Sequence, residues 1–381
     1  MSRSLTRRTA AFLTATGVAA ATALAASPVD AARAPGASHD RGAARVIASG
    51  LNNPRHLAFR GGTLYVAEAG TGGSRACHPG PEGDVVCYGA TGSIARLGQH
   101  PRRILKGLPS QADRNGARAL GPSGIATLAG GRLAFTIGGG GTPTDRAKLP
   151  PSGRKVGTLV VARHSGTSWK RHTLRVVADL MRFEARYDPD HQGADSDPTG
   201  LIRRGGRFLT TDSGGNDLLR AGGGRAPAAL ATFGNRTVTN PFPPPATVPM
   251  QSVPTAVAVG PRGALFVSEL TGFPFPKGRA RIFRVVPGHA PTVWATGLTN
   301  VTDLTWYRGS LYAVQIANNG LLAYPGTPYG SLVKVKRGAA PTRVGGSYRA
   351  PYGVAMRRGA AYLTTCSTCA GTGRVVRIPL G

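Results

Sequence analysis

Val46 to Phe59 reads VIASGLNNPRHLAF, and Val293 to Trp306 reads VWATGLTNVTDLTW. The apolar alternation, Gly50 with Gly297, Leu51 with Leu298 and Asn53 with Asn300 all fall in register. Self-similarity at a distance is the signature of a repeat architecture. Working outward, one phrase recurs: a turn, an apolar strand, a Gly-rich turn and a second apolar strand. It reads NPRHLAFRGGTLYVAEAG from Asn53, GPSGIATLAGGRLAFTIGGG from Gly121 and DPTGLIRRGGRFLTTDSGG from Asp197. It returns as VPTAVAVGPRGALFVSELTG from Val253, NVTDLTWYRGSLYAVQIANNG from Asn300 and APYGVAMRRGAAYLTTCSTC from Ala350.

A third strand follows each copy, from GSIARL at Gly92 to GRVVRI at Gly373, with NDLLRA at Asn216 in the third. Most copies close with a fourth, such as RRILKGL from Arg102 or TVWATGL from Thr292. The last copy stops after its third strand, and RVIASGL from Arg45 supplies the missing one. Short strands at even spacing with Gly turns predict an all-β, six-bladed β-propeller of four-stranded blades, residues 45–381. The N-terminal strand closes the last blade, which removes an exposed sheet edge.

Composition suits a turn-rich β protein: 381 residues with Gly 55 and Pro 30. Formal net charge is +30, from Lys+Arg 47 against Asp+Glu 17, with forty of the bases Arg. The charge is spread over every blade and never condenses into a run. A nucleic-acid footprint would be a stripe or patch, and nucleic acid is not the expected partner of an exported chain. Adhesion to an anionic cell-surface polymer fits such a field, as does a merely solvated Arg-rich surface. Residues 1–31 read as a secretory signal peptide: Arg3, Arg7 and Arg8, then an uncharged run from Ala10 to Ala26 and small-residue cleavage sites. That run is too short and Ala-rich to span a membrane. Residues 32–44 read as a flexible lead-in, and a secreted monomer is expected.

Cysteines in an exported chain point to structural disulfides. Cys77 and Cys87 bracket one long loop, where a bridge would staple an insertion without a core. Cys366 and Cys369 form CSTC; without a second C-x-x-C or a βαβ context, a short disulfide is preferred to a zinc or redox site.

Acids are scarce, so their places inform. At the end of the second strand the six copies carry Glu68, Ile137, Asp212, Glu269, Gln315 and Cys366. His56 and Asp303 stand on the first strand where other copies have Gly or Ala. Side chains at one height around an axis could converge on a channel and hold a divalent cation, Ca²⁺ or Mg²⁺. The competing reading has them cap turn amides and pair with arginine. A second acidic stretch holds Glu184, Asp188, Asp190, Asp195 and Asp197. There Asp188, Asp190 and Gly193 match the first, third and sixth places of an EF-hand loop, but the twelfth is Thr199 instead of a bidentate Glu, so a solvated turn is expected. No G-x-S-x-G elbow and no paired-histidine spacing supports nucleophilic or zinc catalysis. Phe242, Phe273 and Phe275 lie in proline-stiffened loops and make a candidate recognition surface for a small molecule or polymer.

VIASGLNNPRHLAF, the Cys87-Tyr88-Gly89 segment, EARYDPDHQGADSDPTGL, TDSGGNDLLR and SELTGFPFPKGRARIFRVVPG together resemble the ScyD/ScyE family of exported actinobacterial and cyanobacterial proteins. The resemblance implies a six-bladed, NHL-like propeller without a settled catalytic role; DSDPTG departs from the relatives' Asn-Pro-Tyr tendency. The metal-binding positions of lactonase propellers correspond here to Arg55, Ser123, Thr199, Thr255, Thr302 and Tyr352, none a carboxylate or amide. The expectation is a secreted binding or scaffold protein recognising its ligand at one face and the channel mouth. A metal-dependent, lactonase-like hydrolase using Glu68, Asp212 and Glu269 is the alternative.

Overall fold

The computed structural model describes residues 43–80, 84–98, 102–165, 168–169 and 174–380. The expected signal peptide, 1–31, and nearly all of the lead-in, 32–44, lie outside the described residues. The rest forms the six-bladed propeller, each blade an antiparallel meander. Blade three shows the plan: Pro198–Arg204, Arg207–Asp212, Asp217–Gly222 and Arg225–Thr232 pair in order. Arg45–Leu51 pairs antiparallel with Gly373–Pro379 and completes the sixth blade.

The core is divided among the junctions. Six clusters of buried apolar side chains each bridge two neighbouring blades. The closing junction joins Ala48 and Leu51 to Leu57, Val66 and Val375. Burial of a Leu of this kind stabilises by about 1.5–3 kcal/mol, so the closing strand is held by apolar packing as well as by its strand pairing.

Hydroxyls on first and second strands stitch neighbouring blades together. Thr136 Oγ1 donates to the Thr199 carbonyl at 3.1 Å, Thr255 Oγ1 to Val301 at 2.8 Å and Thr302 Oγ1 to Tyr352 at 2.7 Å. Thr364 Oγ1 donates to the Arg55 carbonyl at 2.9 Å, carrying the ring from the last blade to the first. Glycine on the inner strand permits this approach, since a Cβ on Gly200 would stand 2.6 Å from the Ala256 Cα. Inner strands also carry a register shift here, as between Pro54 and Leu57. Such bulges re-aim side chains, and His56 sits in one.

The meander sorts its connections onto two faces. Most long ones, with both helices and both disulfides, gather on the face where second strands end; the other face has short turns apart from the blade-two connection that carries the His164–Ser165 and Ser168–Trp169 hairpin. Cys77–Cys87 ties strand Arg75–Pro79 to Val85–Leu97, which begins inside the expected loop, and Cys366–Cys369 closes the CSTC turn. No helix among the described residues is long and apolar enough to cross a membrane.

Candidate functional site

The second-strand acids do not meet on an axial ring, and the expectation is corrected by their partners. The Glu68 carboxylate is fully buried, accepting from the Asn52 N–H at 2.8 Å and from Arg103 Nε and Nη2 at 2.8 Å each. Glu269 accepts from Ser252 Oγ at 3.0 Å, Arg236 at 2.9 Å and Arg281 at 2.7 and 3.0 Å. Gln315 accepts from the Thr299 N–H at 2.7 Å, and Asp212 from the Asp197 N–H at 2.6 Å and Ser196 Oγ at 2.6 Å. Equivalence around the ring therefore has a structural cause: the residue caps the chain entering its own blade. The reach of Glu68 to an arginine on the outer strand Arg102–Asp113 turns it away from the axis.

The axial channel is lined instead by inner strands of all six blades, around a cavity of about 480 Å³. His56 and Asp303 lie in it, Nε2 to Oδ1 3.9 Å apart. The Tyr352 ring packs edge-on against His56 at 5.2 Å, and the Arg55 guanidinium lies 4.5 Å over the Tyr352 ring. Burial lowers the His56 pKa to about 4, while burial raises that of Asp303 to about 7 against the Val354 and Leu304 N–H bonds that favour its anion. A neutral imidazole thus faces a carboxyl group that titrates near neutrality.

Phe242, Phe273 and Phe275 come together on the loop face. Phe242 and Phe273 stack at 6.4 Å, Phe275 meets Phe273 edge-on at 6.5 Å, and the first two remain exposed.

The acidic stretch after blade two is a helix followed by the expected turn, with Asp188 and Asp190 half-buried and His191, Gln192 and Gly193 exposed. Helix Leu180–Tyr187 starts on Asp179, whose side chain accepts from the Arg182 N–H, and buries Leu180, Met181, Phe183 and Glu184. It ends at Asp188 with φ 40°. Apolar spacing buries this face, and Glu184 is carried inward with it. Both Glu184 oxygens lack a hydrogen-bond partner, and desolvation, aided by Asp212, Asp190 and Asp188, raises its pKa to about 8. Asp217 is buried with both oxygens unpartnered, and its pKa is raised for the same reasons. Reading the DPDHQG loop alone missed Glu184, one helical turn earlier.

Charge divides between the faces. Every described Asp and Glu belongs to the loop-face half, as do the ion pairs Arg103–Glu68, Arg118–Asp84, Arg146–Asp179 and Arg281–Glu269. Each inner turn on the opposite face carries an arginine beside its glycine: Arg60, Arg132, Arg204, Arg262, Arg308 and Arg358. Five are exposed and Arg132 is half-buried. They ring that mouth of the channel with no carboxylate among the described residues there. A neighbouring cavity of about 470 Å³ has Arg132, Arg163, Arg175 and Arg203 around a floor of Leu128, Val161, Val177 and Phe208. The sequence signal was an Arg-Gly pair in five repeats and Gly131-Arg132 in the second.

The fold places the chain in the class of six-bladed β-propellers. A putative oxidoreductase (glucose dehydrogenase) of Thermus thermophilus is similar over 88% of this chain and 99% of its own, with 18% identity and TM-score 0.51. The PQQ-bound aldose sugar dehydrogenase of Streptomyces coelicolor matches over 90% and 99%, with 13% identity and TM-score 0.44. Virginiamycin B lyase of Staphylococcus aureus matches over 89% and 99%, with 11% identity and TM-score 0.47. Likeness at this level concerns the fold alone. No family profile and no curated protein matches the chain.

Proposed function

We propose that this is a secreted binding protein whose short-turn face docks on an anionic polymer outside the cell, one bearing phosphate or carboxylate groups. The arginine ring carries the reading: six guanidiniums, one per blade, with no acid beside them among the described residues. A guanidinium is always charged and presents a fork that fits carboxylate and phosphate oxygens. The cavity between blades two and three would seat one such group. Two disulfides fit an oxidising compartment, and the ScyD/ScyE resemblance points the same way. The Phe242–Phe273–Phe275 cluster is then left on the outward face for a second contact.

The hydrolase alternative assigned its metal to Glu68, Asp212 and Glu269, and nothing in their geometry favours it. Arginines already neutralise Glu68 and Glu269, and donors within its own blade hold Asp212.

Binding to poly(glycerol phosphate) tests the proposal. The Arg204→Gln/Arg262→Gln/Arg308→Gln protein is expected to bind at least about tenfold more weakly. A loop-face set of equal charge change, Arg114→Gln/Arg154→Gln/Arg279→Gln, should bind nearly as the parent does. Equal losses from both sets, or no binding by the parent, would overturn it.

A further inference from the structure

Independently of the turn face, the acidic stretch on the loop face has the makings of a cation site. Glu184, Asp188 and Asp190 each offer a carboxylate oxygen within 4.8 Å of the others. Proximity of acids alone would mean little. Here Glu184 is completely buried, belongs to that group, and receives no hydrogen bond on either oxygen. Such groups are otherwise paired or hydrogen-bonded in folded proteins.

This chain has arginine to spare, and it supplies arginine to the buried carboxylates Glu68 and Glu269. None of the ion pairs among described residues reaches Glu184, Asp188 or Asp190. Asp217, also buried and unpartnered, lies within electrostatic reach of Glu184 and Asp190. Gly215 leaves room for the Glu184 carboxylate, because a Cβ there would stand 2.6 Å from Oε2. A cation from outside the polypeptide would give these oxygens the partner that the chain does not supply.

We propose that Glu184, Asp188 and Asp190 bind a calcium ion. The donors are all oxygen, which suits a hard cation, and the group contains no Cys or His, which argues against zinc. Calcium accepts six to eight oxygens in flexible arrangements, whereas magnesium demands a tighter octahedron. Asp188 and Asp190 are half-buried, so water can complete the shell. Their loop is ordered from within: the Gly193 N–H donates to the Asp188 carboxylate at 3.2 Å and Asn216 Nδ2 to Asp190 at 2.9 Å. The carboxylate absent from the twelfth EF-hand place is replaced by Glu184, from the helix before the loop.

Chelator-treated full-length protein titrated calorimetrically with CaCl₂ and MgCl₂ is the test. One Ca²⁺ per chain is expected, with Mg²⁺ at least about tenfold weaker. Tm should rise by about 5 °C at a hundredfold excess over Kd. Glu184→Gln and Asp190→Asn should each lower Ca²⁺ affinity at least about tenfold, while Asp145→Asn, on the other helix, leaves it unchanged. Without calcium, Glu184→Gln should unfold no earlier than the parent, because it removes a buried, unpartnered carboxyl group and no hydrogen bond. A parent that binds no Ca²⁺, variants that bind it as tightly, or Mg²⁺ binding of equal strength would each overturn the assignment.

Discussion

Arg281 grips Glu269 through two hydrogen bonds, Nη2 to Oε1 at 2.7 Å and Nε to Oε2 at 3.0 Å. The carboxylate is fully buried, while Arg281 keeps 18% of its side chain in contact with solvent. The fork lets a charge survive inside blade four. Removing one partner from a buried pair costs about 3–5 kcal/mol, because the other charge is stranded.

Arg281→Ala should therefore lose about that much stability in urea unfolding, tempered by the remaining bond from Arg236. Arg284→Ala, an exposed neighbour on the same strand, should change stability by less than about 0.5 kcal/mol. Equal small losses at both positions would remove the fork from the account of blade four.

Closure makes its own demand. Leu51 stands on the strand that completes the sixth blade and packs against Leu57, Val66 and Val375. Leu51→Ala should cost about 2–5 kcal/mol, as for any core leucine. A loss below about 1 kcal/mol by chemical denaturation would mean that the N-terminal strand is dispensable.

Asp303 and His56 set opposing pH trends. The folded pKa of Asp303, about 7, lies above its ordinary 3.8, so its favourable contribution is complete below pH 3.8 and is lost as pH rises through 7. His56 is lowered from 6.5 to about 4, so its contribution is complete above pH 6.5 and is lost as pH falls towards 4. The stability of the parent minus that of Asp303→Asn should then fall between pH 4 and 8, by about 4 kcal/mol at most. Urea unfolding at several pH values reads this directly; a difference independent of pH would contradict the buried, titrating carboxyl.

The blades and their closure were legible because alternation, Gly turns and phrase repetition are local patterns. Position around the ring was legible too, but direction was not. Glu68 and Glu269 share a height, yet each reaches arginine in its own blade or loop instead of the axis. Glu184 was hidden because its helix is an insertion outside the repeat, and its burial depends on packing against blade two and the blade-three turn. The arginine ring was written in full view as Arg beside Gly in six turns. It escapes a search for runs of charge, because the spacing that gathers Arg60, Arg204 and Arg308 is the length of a blade.

The most direct measurement is the salt dependence of poly(glycerol phosphate) binding by the parent and by Arg204→Gln/Arg262→Gln/Arg308→Gln. If the turn face makes the contact, log K falls linearly with log salt concentration, and the slope of the triple variant is shallower by roughly two to three. An unchanged slope would contradict the assignment of the polymer to the arginine ring.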